Sequence, residues 1–118
     1  MLRSLFSCCF GNFHDVGYLY LISCNRHGHN CIKFGRTKDY KTRFASYKRD
    51  YANLVIHKLI RLDDHKKAEG LVLRNAKKKH KTVNGSREWF HMEDGDAKKI
   101  MEDSMSELRR LGYSISVI

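Results

Sequence analysis

Two runs of aromatic and branched residues, 17–24 (GYLYLISC) and 31–35 (CIKFG), flank the polar stretch Asn25-Arg26-His27-Gly28-His29-Asn30. Both runs are strand-sized and rich in strand formers, and the stretch between them holds turn formers, so the chain is expected to fold back on itself as a β-hairpin. Everything downstream has to pack on that hairpin. A third strand is expected over residues 54–62 (LVIHKLIRL), where Leu54, Ile56 and Ile60 roughly alternate. Short strand-like pieces follow at 87–92 and 113–118.

Between these pieces the period changes to that of a helix. Asp39 is placed to cap a helix over residues 40–50, whose apolar arc is Tyr40, Phe44, Tyr47 and Tyr51 at spacings of three and four. Asp63 or Asp64 caps a second helix, 65–80. Asp94 or Asp96 caps a third, 97–111, with Ile100, Met101, Leu108 and Leu111 inward and Gly112 as its stop. The order predicts a mixed α/β (α+β) fold, a small antiparallel sheet of about three strands flanked by helices.

With 118 residues, 42% of them apolar, the chain has material for one core. We expect one domain over residues 16–118, preceded by an extension, 1–15. No run approaches the roughly 18 apolar residues of a membrane span, and the first ten residues lack the length and cleavage site of a secretory signal. Of the four cysteines, Cys8 and Cys9 are adjacent and do not readily bridge each other, and no second membrane signal accompanies them as an acylation site. Reduced thiols and an intracellular location, cytoplasm or nucleus, are the expectation.

The net charge of +10 is concentrated in one segment: residues 33–81 hold sixteen Lys and Arg against five Asp and Glu. Its basic residues alternate with Tyr40, Phe44, Tyr47 and Tyr51, so the charge belongs to a folded surface rather than to a tail. Such a surface suits a polyanion, because neutralising phosphates releases counterions. The candidate nucleic-acid contacts are Lys38, Lys41, Lys48 and Arg49 around the first helix and Lys77, Lys78, Lys79, His80 and Lys81 at the end of the second.

One carboxylate is out of place. On a helix, Ala68, Val72, Leu73 and Ala76 share an apolar arc, and Glu69 falls inside it. Burying an unpaired carboxylate costs several kcal/mol, so Glu69 is expected to meet an arginine, a lysine or a metal ion. Arg43, one turn before Tyr47 at the edge of the aromatic arc, points along the same boundary. Guanidinium, phenol and carboxylate are thereby expected to line one cleft.

In this arrangement the chain resembles a GIY-YIG nuclease domain over residues 16–90. Tyr18-Leu19-Tyr20 stands where that family has Gly-Ile-Tyr, and Lys33-Phe34-Gly35 where it has Tyr-Ile-Gly; twelve residues separate them, and Arg43 follows Gly35 by eight. Arg36, Tyr47 and a helix-borne Glu69 come in the family's order. Lys33 and the sequence Gly85-Ser86-Arg87-Glu88-Trp89-Phe90 are similar to a branch found in phages and large DNA viruses.

The resemblance implies an endonuclease that hydrolyses DNA with a divalent metal, Mg²⁺ or Mn²⁺, for which Glu69 would be the sole protein ligand. It implies that Arg43 stabilises the phosphoryl charge and that Tyr20 orients or deprotonates water, aided by Arg36 or Lys33, with Tyr47 in the same network. Tyr18 is assigned to the opposite face from Tyr20. The DNA would be duplex, branched or single-stranded, with RNA an open alternative, and specificity is expected from DNA structure, a partner protein or a homodimer.

A second reading keeps the fold and basic surface but not cleavage, leaving a nucleic-acid-binding module. A third places zinc at Cys24, His27, His29 and Cys31, although four ligands crowded into one turn lack the separated pairs of structural zinc motifs. Trp89 and Phe90 are expected in the core.

Overall fold

The structure, a computed structural model, describes residues 16–83 and 89–118. The expected extension, Cys8-Cys9 and the first four residues of the Gly-x-Arg-Glu-Trp-Phe sequence lie outside the described residues. The elements run β1 (Gly17–Arg26), β2 (His29–Thr37), α1 (Tyr40–Asp50), β3 (Ala52–Leu62), α2 (His65–Lys77), β4 (Trp89–His91), α3 (Asp94–Arg110) and β5 (Ser116–Val117). All strand pairs are antiparallel, in the order β4-β2-β1-β3-β5.

The expected sheet of about three strands is therefore corrected to five. The two short pieces join as edges: β4 pairs with β2 through Cys31, Ile32 and Lys33, and β5 with β3 through Ile60 and Arg61. The hairpin is also tighter than the six-residue polar stretch implied. Arg26 pairs with His29, and the turn is His27-Gly28, with φ of 55° and 82°. Two residues with positive φ match the twist of the flanking strands, and Gly28 takes the second at no steric cost.

β1 lies at the centre and is buried on both faces, which is why its sequence reads as a continuous apolar run rather than an alternating one. Leu19 and Leu21, with Ile32, Phe34, Ile60, Leu62 and Phe90, face α2 and α3. Tyr20, Ile22 and Cys24, with Cys31, Leu59 and Trp89, face α1 through Phe44. Each fully buried side chain of this size contributes about 1.5–3 kcal/mol, so the two layers hold the central strand firmly.

α1 matches the expected span, and Asp39 caps it: its Oδ1 accepts from the Thr42 amide (3.1 Å) and its Oδ2 from the Thr42 hydroxyl (2.7 Å). These bonds stabilise the carboxylate and hold the Asp39 pKa below its ordinary value. α2 ends at Lys77, three residues earlier than expected, with Asp64 at its N-cap. In α3, Ala97, Met101, Met105 and Leu108 are buried, but Leu111, expected inward, follows the last turn and is 63% exposed. Gly112 with φ of 96° ends the helix.

β3 departs from simple alternation. Leu21 pairs with Lys58 but Ile22 with Ile56, so His57 is an extra residue in a bulge. Ile60 stays fully buried while Ile56 is 38% exposed. The bulge brings His57 Nε2 to 2.8 Å from Ser23 Oγ and 3.5 Å from Asp94 Oδ2.

Burial pushes the His57 pKa below its ordinary 6.5, Asp94 opposes the shift and Lys98 adds to it. A histidine depressed in the folded state stabilises above its unfolded pKa, and that contribution is lost as pH falls through 6.5 and then through the lower folded value. The melting temperature is expected to drop between pH 7.5 and 5.5, and to drop less in His57→Gln, as read by thermal denaturation. Among the described residues no helix is long and apolar enough to cross a membrane.

Candidate active site

The cleft lies beside Arg36, near the C-terminal end of β2. Among the described residues β4 pairs with β2 at Cys31, Ile32 and Lys33, and Gly35 and Arg36 follow on toward the strand's end. Tyr20 stands opposite Gly35 in the register. Its ring crosses over the glycine so closely that a Cβ there would meet Tyr20 Cζ and Oη inside van der Waals contact. The family-like glycine is thus a space requirement: it lets a fully buried ring carry its hydroxyl across the sheet.

That hydroxyl is 2.8 Å from Tyr47 Oη. Phe44 sets the Tyr20 ring from above, edge-on at 5.2 Å between centroids. Arg43 donates hydrogen bonds to the Tyr47 and Tyr20 hydroxyls; the bond to Tyr47 raises its pKa most, burial opposes, and the charge of the phenols adds. α1 supplies all three of these neighbours because residues 43, 44 and 47 lie on adjacent turns of one helix side.

The opposite face of the sheet supplies the other half. Arg36, of the opposite parity to Gly35 on β2, meets Glu69 of α2, its Nε donating to Glu69 Oε1 at 3.2 Å. The Glu69 side chain is 14% exposed and that of Arg36 36%. Tyr20, Arg36, Arg43 and Glu69 together line a cavity of about 200 Å³. A neighbouring cavity of about 450 Å³ shares Arg43 and is lined also by Thr37, Asp39, Thr42, Ser46 and Tyr47.

Glu69 thus pairs with Arg36 of β2, while Arg43 reaches the cleft from the other face. Tyr18, assigned to the face opposite Tyr20, in fact shares that face, as residues two apart on a strand do; it packs on Tyr40 at 4.8 Å. Lys33 also lies on the Tyr20 face, only 9% exposed, with its Nζ 5.5 Å from the centre of the Trp89 ring. It is not part of the cleft lining.

Lys38, Lys41, Lys48 and Arg49 are exposed around α1, and Lys77, Lys78, Lys79 and Lys81 are exposed after α2. Lys78, Lys79 and His80 line a separate groove of about 460 Å³ between α2 and α3, shared with Asp96, Asp103 and Glu107. His80 thus belongs to that groove rather than to the cleft edge. Cys24 and Cys31 pair directly across β1 and β2, both buried, and burial raises both thiol pKa values. Among the described residues no three His, Cys, Asp or Glu side chains converge as metal ligands.

Sequence reasoning missed a cluster at the far end of the α1 face. Arg26 lies 5.6 Å from the Tyr51 ring centre and 5.1 Å from that of Trp89. The available signal was the parity of Arg26, six residues beyond Tyr20 on the same strand.

The donor set of the cleft is one carboxylate, two guanidiniums and a phenol. It fits a Mg²⁺ or Mn²⁺ ion that keeps most of its waters and completes its shell with a phosphate, and it does not fit an all-protein cage. A family model, that of the T5orf172 domain, matches residues 17–105. No curated protein and no solved structure matches the chain.

Proposed function

The chain belongs to the T5orf172 domain family, and from the cleft we propose that it is a metal-dependent DNA endonuclease whose site resembles that of GIY-YIG nucleases. The observation that carries this reading is the convergence of Glu69, Arg36, Arg43 and Tyr20 on one small polar cavity, with Tyr47 hydrogen-bonded to Tyr20 beside it. The strongly basic segment around it supplies attraction for a polyanion.

Arg43 holds a non-bridging phosphate oxygen and stabilises the charge that grows on it, with the tyrosine hydroxyls fixing its direction. The Tyr20 hydroxyl, paired with Tyr47 at 2.8 Å, orients the attacking water, and in its phenolate form it accepts the water's proton. Lys33 adds positive charge on the same face of the sheet.

Glu69 would hold the metal, with Arg36 keeping its carboxylate in place beforehand. When bound, the metal supplies Lewis-acid polarisation of the phosphate. With two guanidiniums against one carboxylate, the cleft repels a bare dication. Mn²⁺ alone is therefore expected to bind weakly in calorimetry, and a non-hydrolysable oligonucleotide is expected to tighten it at least tenfold. Equal affinity with and without the oligonucleotide would contradict this electrostatic account.

The test of function is incubation of the purified protein with supercoiled plasmid, single-stranded and branched DNA in Mg²⁺ or Mn²⁺. Nicking that stops with chelator is expected. Binding without nicking across these substrates and metals would instead favour the binding module, a reading motivated by Lys33 standing where GIY-YIG nucleases have a tyrosine.

A further inference from the structure

Arg26, Tyr51 and Trp89 form a second feature on the α1 face, beyond the cleft. Trp89 is only 8% exposed and Tyr51 half-buried, their ring centres 5.2 Å apart. The Arg26 guanidinium lies over both rings. The buried tryptophan is thus the support, and the half-buried arginine is the part offered to solvent. Stacking on rings holds a guanidinium plane in a fixed orientation, which a flexible exposed arginine lacks.

The cluster is continuous with the cleft. Ring centres run from Tyr20 to Tyr47 at 6.1 Å, from Tyr47 to Tyr51 at 5.9 Å, and then to Trp89. Six residues of β1 separate Tyr20 from Arg26, about 20 Å along a strand. At the outer end exposed His29, opposite Arg26 in the register, stacks on His91 at 5.2 Å. A run of neighbouring rings with Arg43 at one end and Arg26 at the other suits a nucleic-acid strand with unpaired bases: phosphates meet the charges, and a base stacks on the outer face of the Arg26 guanidinium. A duplex, whose bases already stack on each other, gains only the charge.

We propose that the Arg26–Tyr51–Trp89 platform binds an unpaired nucleotide segment continuous with the strand in the cleft. The inference rests on the nucleic-acid reading above, and its test separates the two. In chelator, binding of a fluorescein-labelled single strand of mixed sequence and of a blunt duplex of equal length is measured by anisotropy for wild type, Arg26→Gln, Arg26→Lys and Tyr51→Leu. The intrinsic emission of Trp89, the chain's one tryptophan, is followed in parallel.

Single-strand affinity is expected to fall roughly 5- to 100-fold in Arg26→Gln, with duplex affinity changed less than about threefold. Arg26→Lys, which keeps the charge but not the plane, is expected to recover less than half of the lost binding free energy. Wild-type Trp89 emission is expected to change on single-strand binding and saturate with the anisotropy signal. Should Arg26→Gln fail to fold, Arg26→Lys and Tyr51→Leu decide the same comparison. Wild-type affinity for single strands in the folded variants, or equal loss for single strand and duplex, overturns the platform while leaving the nucleic-acid reading intact. Absence of binding by wild type to either probe overturns both.

Discussion

Replacing Glu69 by Gln is expected to lower the metal-dependent nicking rate at least 10³-fold while leaving DNA affinity in chelator within about threefold of wild type. The amide keeps the shape of the side chain and can still accept from Arg36 Nε, which sits 3.2 Å from Oε1, so the cleft keeps its form. What it loses is the one carboxylate among the lining residues and with it the charge that holds a hard dication.

Arg43→Ala is expected to act on the same step by another route. Removing a fixed donor aimed at developing charge costs on the order of 10²–10³ in rate, and it also unties the tyrosine hydroxyls that Arg43 bonds. The measurement is single-turnover nicking of plasmid beside filter binding of the same DNA. Loss of nicking only in proportion to loss of binding in both variants would place these residues in DNA capture, against the catalytic assignment.

The second large effect is expected from Gly35→Ala, a change of one methyl group. The new Cβ collides with Tyr20 Cζ and Oη, and Tyr20 is fully buried beneath Phe44, so the ring has no free rotamer to take. Overpacking of this kind costs about 1–3 kcal/mol, which for a chain of this size is a fall of several degrees in melting temperature. Activity is expected to fall further than stability implies, because the displaced hydroxyl leaves its 2.8 Å contact with Tyr47.

Tyr20→Leu in the Gly35→Ala background, which removes the colliding atoms, is expected to restore much of the melting temperature and none of the activity. An unchanged melting temperature in Gly35→Ala would show that the sheet yields at no cost there. At Gly17 a Cβ would stand 2.7 Å from the His65 ring, so the same argument applies to α2 on the other side of the sheet.

Local signals were legible in the sequence. The hairpin and α1 rest on neighbouring residues: a turn with glycine, an aspartate cap, an aromatic arc at helical spacing. The sheet edges were visible as strand-like pieces but not as members of the sheet, because β4 pairs with a strand more than fifty residues earlier in the chain. The bulge at His57 left no mark in the pattern, and it put Leu54 and Ile56 on the α1 face and Ile60 on the other, where simple alternation implied one face for all three.

For the cleft, helix periodicity said that Glu69 needed a cation and stopped there. Whether Arg36 or Arg43 is that cation depends on which strand edge α2 crosses, a property of the assembled layers. Parity on β1 was available and was misapplied at Tyr18, which shares the Tyr20 face. The tight approach of Tyr20 to Gly35 gives a physical reason for a glycine whose motif alone was only a resemblance.

The two faces of the sheet bear on how the cleft comes apart. Tyr20 and Tyr47 belong to the layer that α1 covers, α1 itself carries Arg43, and Glu69 projects from α2 on the other face, each face with its own apolar cluster. They meet beside β2 at Arg36, whose Nε pairs with Glu69. A partial opening that lifts α2 from the sheet would withdraw the carboxylate and leave the phenol pair assembled. The cleft is thus a joint between two separately stabilised units, and its integrity follows the less stable of them. Amide exchange in α2, rather than the global melting temperature, is the quantity that tracks the fraction of molecules in which the site is whole.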